Sequence, residues 1–177
     1  MEVVVDTTVF ANPNVYNHFH EDRAEASKLI LQRFRQKGIA VYTTPMVAKE
    51  LSRFIPVDEL EGMWIIKAPD PTATIPAQVF LDYLTELRKR FDKGLRIAEE
   101  FTRLEPDESH IRTLREKYRT LVRSGILDSP NDLEIILLTK ELDAFLVSSD
   151  IGMLKMAQAM GCKIIRAENL HHFFQNV

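Results

Sequence analysis

The stretch from Gly125 to Asp150 constrains the fold of this chain more than any other. It reads as a capped helix followed by a wholly apolar strand that runs out into a carboxylate. Ser129 is the expected N-cap. Pro130 takes the first helical position, where a missing N–H costs nothing, and Leu133, Ile136 and Leu137 supply the buried face. Ala144-Phe145-Leu146-Val147 lacks polar alternation, as expected of a parallel strand covered on both faces. Asp150 follows at its C-terminal end, the edge where open α/β sheets keep their ligands.

The opening residues repeat the design: Val3-Val4-Val5 is apolar and Asp6-Thr7-Thr8 closes it. A second helix is expected over about 22–36, with Ala26, Leu29, Ile30 and Phe34 on one face and Gly38 as its stop. A strand over 39–42 and a helix capped by Thr44, with Pro45 at its first position, complete a β-α-β-α order, which argues a parallel α/β sheet. Residues 11–20 read as irregular, and a short strand is expected around Trp64-Ile65-Ile66. After the central stretch come a helix over 151–160, a last strand at Lys163-Ile164-Ile165 and a short terminal helix over 168–174.

Between these two α/β portions the character changes. Phe80, Leu84, Leu87, Phe91, Leu95, Ala98 and Phe101 recur at steps of three and four, and Ile111, Leu114, Tyr118, Leu121 and Val122 follow a Pro-Asp break. Two long amphipathic helices joined by a short turn make an αα-hairpin inserted into the sheet order. The expected division is therefore a discontinuous α/β domain over 1–75 and 124–177, with the hairpin over 76–123. The hairpin carries 11 Lys and Arg against 9 Asp and Glu, although the whole chain has a net charge of −3. Arg112, Arg115, Arg119 and Arg123 share one face of its second helix, and Arg88, Lys89, Lys93 and Arg96 lie on its first. Two readings stand: a solvated face with ion pairs such as Glu86/Arg90 and Glu99/Arg103, or a ridge that contacts phosphates.

Four aspartates, Asp6, Asp128, Asp132 and Asp150, converge on one sheet edge if the sheet is built this way, and Glu50 on the helix after strand two is a weaker fifth. Singly, each has a local explanation. Helix-start carboxylates serve orphan amides and the dipole, and strand-end aspartates hold turn backbone. Together they favour a site, because carboxylates so close cannot all stay ionised without a counter-charge, and a hard divalent cation supplies one. An all-oxygen set suits Mg²⁺ or Mn²⁺ rather than zinc, and its chemistry is metal-assisted phosphodiester hydrolysis. No phosphate loop or Gly-x-Ser-x-Gly elbow competes. His18 and His20, and His171 and His172, lack metal-ligand spacing and read as surface histidines.

One cysteine, Cys162, excludes an internal disulfide and fits a reducing compartment. No apolar run approaches the length of a membrane span, and Met1-Glu2-Val3 leads straight into a strand, so a soluble cytoplasmic protein is expected.

Val-Val-Val-Asp-Thr-Thr-Val-Phe at the start, Thr-Pro-Met-Val-Ala-Lys-Glu-Leu around Glu50, Asn-Asp-Leu-Glu-Ile-Ile-Leu-Leu-Thr and Leu-Val-Ser-Ser-Asp-Ile-Gly-Met together resemble the PIN nuclease domain. Ser-Gly-Ile-Leu-Asp-Ser-Pro-Asn-Asp, with a long helical hairpin before it, is similar to the minimal protein-only ribonuclease P family, formerly called RNA ligase partner proteins. The resemblance covers essentially the whole chain. It implies a PIN-like parallel sheet flanked by helices, and a metal-dependent endonuclease that removes the 5′ leader from precursor tRNA. It also implies metal ligation by Asp6, Asp128, Asp132 and Asp150, a hairpin that recognises tRNA and assembles subunits, and large homo-oligomers. Leu154 stands where some PIN proteins carry a further acid. The rival readings are a toxin-type PIN ribonuclease acting on other RNAs, a non-catalytic RNA-binding or ligase-associated scaffold, and a structural oligomer whose carboxylates merely cap helices. The long hairpin argues against the toxin, and the full acidic set argues against the scaffold.

Overall fold

The computed structural model describes residues 1–105, 107–123 and 129–176, without the side chains of Val122 and Arg123. Five parallel strands form one sheet in the order β3-β2-β1-β4-β5. They are β1 (Glu2–Val5), β2 (Ala40–Thr43), β3 (Ile65–Ile66), β4 (Phe145–Ser148) and β5 (Lys163–Arg166). β1 lies at the centre, between β2 and β4, with Val3 opposite Val41 on one side and Phe145 on the other. Val3, Val4, Val5, Leu146 and Val147 are all fully buried, which is why these strands are continuous apolar runs. Burying each such side chain is worth about 1.5–3 kcal/mol, so the two central strands anchor the domain.

Helices cover both faces. Two short helices, α1 (Thr8–Ala11) and α2 (Pro13–Tyr16), run into and through the first part of the stretch expected to be irregular, and 17–20 remain non-helical. Asn12 makes this possible: it ends α1, and its side-chain oxygen accepts from the Asn14 amide to start α2, with Pro13 at the first position. α3 (Arg23–Gln36) is capped by Asp22, and the chain leaves it through Gly38 at φ +66°. Its core face uses Leu31 rather than Leu29: Leu31 is fully buried and Leu29 exposed, because the sheet-facing stripe runs through Ala26, Ser27, Ile30, Leu31 and Phe34.

α4 (Pro45–Leu51) has the expected Thr44 cap, whose hydroxyl accepts from the Val47 amide at 3.4 Å. The hairpin is present as expected, as α5 (Ala77–Thr102) and α6 (Glu108–Arg123). Its root joins the body through Val79, which is buried, and Tyr83, which packs on the core. Near mid-length the helices approach closely at Gly94, where an added Cβ would stand 2.9 Å from the Tyr118 ring. Arg90 donates to the Leu121 carbonyl across the pair, and Lys117 lies over the Phe101 ring. Much of the apolar periodicity is not buried within the chain: Phe80, Leu84, Phe91, Leu95, Ile111 and Tyr118 are exposed. No helix among the described residues is long and apolar enough to cross a membrane.

α7 (Pro130–Glu141) begins at Ser129, whose side chain accepts from the Asn131 amide. Its buried residues are Ile135, Ile136, Leu138 and Thr139, while Leu133 and Leu137 are only partly buried. The expected face is therefore rotated. α8 (Ile151–Ala159) follows β4, and α9 (Leu170–Asn176) closes the fold with Leu170 and Phe174 in the core. Three of the four histidines expected on the surface form a small stack. His18 lies against His171 with ring centroids 4.4 Å apart, and His171 sits 3.8 Å from His172.

Candidate active site

One cavity of about 580 Å³ opens at the C-terminal edge of the central strands. Its lining includes Asp6, Glu50, Asp132 and Asp150, so four of the five expected acids meet around one space. Asp128 lies outside the described residues. Asp132 sits in the first turn of α7, and Glu50 projects from α4.

Asp6 is the buried member, only 5% exposed at the end of β1. Its Oδ2 accepts from the Thr8 hydroxyl at 2.7 Å and from the Ser148 hydroxyl at 2.8 Å. The second contact follows from register: β1 and β4 are neighbours with Val5 opposite Val147, so the next residues on each strand also meet. Burial pushes the Asp6 carboxyl above its ordinary 3.8, while the bonds from Thr8 and Ser148 pull it back. A carboxylate held in this way is costly when ionised and uncompensated, and gains most from a nearby cation.

The neighbouring loop is tied down by the same hydroxyls. The Ser149 amide donates to Thr8 Oγ1 and the Asp150 amide to Ser148 Oγ, each at 2.9 Å. Asn12 donates to the Ser149 hydroxyl at 3.1 Å. Asp150 is the N-cap of α8, with Oδ1 accepting from the Met153 amide at 2.7 Å. Asp150, expected as a strand-end acid that holds turn backbone, instead caps the next helix, and this bond fixes a carboxylate at the cavity wall. Glu50 is oriented by the Thr7 hydroxyl, which donates to Oε2 at 2.9 Å. Leu154 is buried in the core and is not among the residues that line the cavity.

Thr7, Thr8, Ser148 and Asn12 are site residues that the sequence alone does not single out. Their signal is present in Asp-Thr-Thr and Ser-Ser-Asp, two hydroxyl-rich strand ends, but the partnership needs the register of adjacent strands. The oxygen-only, acidic donor set fits a hard divalent cation. Among the described residues, however, no group of three or more His, Cys, Asp or Glu lies close enough together to ligate one ion. Asp6, Glu50, Asp132 and Asp150 share a cavity rather than a common point.

On the hairpin, Arg112, Arg115 and Arg119 are exposed on α6, as are Arg88, Lys89, Lys93 and Arg96 on α5. The Arg123 side chain lies outside the described residues. Arg112 pairs with Glu116 at 3.4 Å, and Lys89 pairs with Glu86, the acid whose spacing also suits Arg90.

A parallel sheet carrying strand-end acids at its C-terminal edge, beside a helix-start acid, defines a nuclease of the PIN class. The family model of the PINc domain ribonuclease matches residues 2–177. The RNA-free ribonuclease P of Thermococcus onnurineus is 38% identical, over 100% of this chain and 95% of that protein. That of Halorhodospira halophila is 39% identical over 98% of this chain and 89% of its own length. That of Thermococcus kodakarensis is 39% identical over 92% and 88%. The chain belongs to the PINc domain ribonucleases and, within them, to the RNA-free ribonuclease P family; it is an endoribonuclease.

Proposed function

We propose that this enzyme cleaves precursor tRNA once, at the junction of leader and mature sequence, and leaves a 5′-phosphate. The observation that carries the reading is the meeting of Asp6, Glu50, Asp132 and Asp150 around one cavity, in a chain that aligns with RNA-free ribonuclease P proteins along nearly its whole length. Asp6, Asp128, Asp132 and Asp150, with Glu50 as a weaker fifth, would hold Mg²⁺ or Mn²⁺. Such a cation supplies an activated water and neutralises charge on the phosphate. The chain's own contribution is placement. Thr8 and Ser148 fix Asp6, the Met153 amide fixes Asp150, and Thr7 fixes Glu50, so the acids meet the substrate with little reorganisation.

The hairpin serves as the second contact with RNA. Arg112, Arg115, Arg119 and Arg123, with Arg88, Lys89, Lys93 and Arg96, follow the phosphates of the tRNA body, while the exposed apolar rows join subunits into a homo-oligomer. Repetition of the cationic ridge through assembly offsets a net charge of −3. Such an enzyme works in the cytoplasm.

The test is incubation of purified protein with 5′-labelled precursor tRNA, with Mg²⁺ or with EDTA. One Mg²⁺-dependent cut at the mature 5′ end, lost in Asp150→Asn, is expected; asparagine keeps a capping oxygen, so the fold survives. Scattered cuts, or cleavage insensitive to EDTA, would overturn the reading.

A further inference from the structure

The cavity lining also carries two cations that neither the acidic constellation nor the hairpin accounts for. Lys49 and Arg53 both line the cavity, together with Met46 and Glu50. Positions 46, 49, 50 and 53 fall at steps of three and four, so α4 and the turn after it present one mixed face to the site. That face is apolar, cationic, acidic and cationic in order. Lys49, Arg53 and Met46 are all exposed, Met46 at 41%.

None of the ion pairs among the described residues involves Lys49 or Arg53. Glu50, their neighbour, instead takes its hydrogen bond from Thr7. Two cations therefore share the cavity with several carboxylates without a salt bridge to any of them among the described residues. The turn that presents Arg53 is held in place. Leu51 and Ile55 are buried on either side of it, and the Ile55 amide donates to the Leu51 carbonyl at 2.9 Å. The Phe54 ring lies under the Arg23 guanidinium at 4.9 Å, and Arg23 in turn lies over the Tyr16 ring at 5.6 Å. Anchors this close on both sides of Arg53 direct its side chain to the cavity at little entropic cost.

A site lined only by acids repels a polyanion. The hairpin cations lie on a separate element and suit the folded tRNA body, which leaves the reacting strand itself to be held. We propose that Lys49 and Arg53 bind the RNA phosphate next to the scissile one, and that Met46 gives the adjoining sugar and base an apolar surface. The proposal rests on the RNA-cleaving reading above. It assigns α4 as the element that sets which phosphodiester enters the site.

The test combines variants with single neutral phosphates. Single-turnover cleavage of 5′-labelled precursor tRNA is measured for wild type, Lys49→Ala, Arg53→Ala and Lys49→Arg. The substrates carry a methylphosphonate at one position at a time around the cut. Removing a charge-assisted hydrogen bond to phosphate lowers the rate about tenfold to a hundredfold, so each alanine variant is expected in that range. Lys49→Arg recovers most of the rate, and mature tRNA binds the variants within about twofold of wild type because the hairpin is intact. At one methylphosphonate position wild type loses as much as the variants, and the variants lose nothing further, since effects that act through one pair are not additive. Rates within about twofold of wild type, or additive losses at every position, would overturn the proposal while leaving the ribonuclease P reading in place. If wild type cuts another RNA instead, the tRNA reading falls and the same variants are judged on that RNA; if it cuts none, both fall.

Discussion

The sheet edge and the helical hairpin treat the same residue types in opposite ways. In the sheet, Val5 and Val147 are fully buried, and the next residues place acids and hydroxyls at the cavity. In the hairpin, Phe91 and Leu95 stay 62% and 61% exposed, on a helix with no core of its own beyond α6 and its root. Apolar residues at the sheet edge thus serve to position polar ones. In the hairpin they are left uncovered by the chain itself. The sheet edge is built to be rigid and to do chemistry. The hairpin leaves its apolar rows to solvent.

The comparison is sharpest at Asp6, where function and stability pull apart. Asp6→Asn is expected to lower single-turnover cleavage by about a hundredfold or more, as removal of a metal-holding or metal-orienting group does. The same change should raise the thermal midpoint of the metal-free protein at neutral pH. The sign follows from the raised carboxyl. Since its folded value lies above the ordinary 3.8, the native state holds the proton more tightly, and the stability present below 3.8 is lost as pH rises through the folded value. Asparagine cannot ionise, and its side-chain oxygen still accepts from Thr8 or Ser148. A variant that stays fully active would show that Asp6 is a turn residue only, and a midpoint unchanged at neutral pH would remove the raised carboxyl as a cost to stability.

Hairpin substitutions should have smaller effects, visible in binding before chemistry. Arg115→Ala with Arg119→Ala is expected to weaken tRNA affinity about tenfold or more. The slope of log affinity against log salt should fall by about one for each phosphate that an arginine no longer neutralises. Cleavage at saturating enzyme should change little. Phe91→Asp should shift sedimentation to smaller species without affecting the sheet. If the arginine pair leaves affinity and slope unchanged, that face is merely solvated; if Phe91→Asp leaves sedimentation unchanged, the apolar row is not the subunit interface.

The two regions also differ in what the sequence discloses. Caps at Thr44-Pro45 and Ser129-Pro130, the apolar strands and the long hairpin period are legible because each is set by residues a few positions apart. So are the strand-end acids, since the apolar run and the carboxylate adjoin. α1 and α2 escape because Asn12 caps one turn straight after another, a side-chain event that periodicity does not show. Thr8 and Ser148 escape because they are 140 residues apart and meet only through strand register. Lys49 and Arg53 look like any exposed helical cations until the cavity is seen. The rotated face of α7 has a similar origin: it packs against the sheet and against α8, so no single stripe marks its buried side.

The smallest expected effect lies at the far end of the body. His171 is tucked between His18 and His172, with Nδ1 buried and without a hydrogen-bond partner among the described residues. Burial, then the charges His172 and His18 would carry, push its pKa below the ordinary 6.5. A depressed folded value means that the neutral ring contributes stability that is fully present above 6.5 and is lost as pH falls through the folded value. The thermal midpoint of wild type should therefore drop between about pH 7 and about pH 5 more than that of His171→Phe, which keeps an aromatic ring in the stack but cannot take a proton. The difference should be modest, because the ring is only half-buried and the stack ties α9 to the turn after α2 rather than to the sheet centre. Cleavage at neutral pH should be the same in both proteins, since neither ring reaches the cavity. Parallel midpoints across that range would remove the histidine stack as a source of acid sensitivity, and unequal cleavage at neutral pH would mean that α9 communicates with the sheet edge after all.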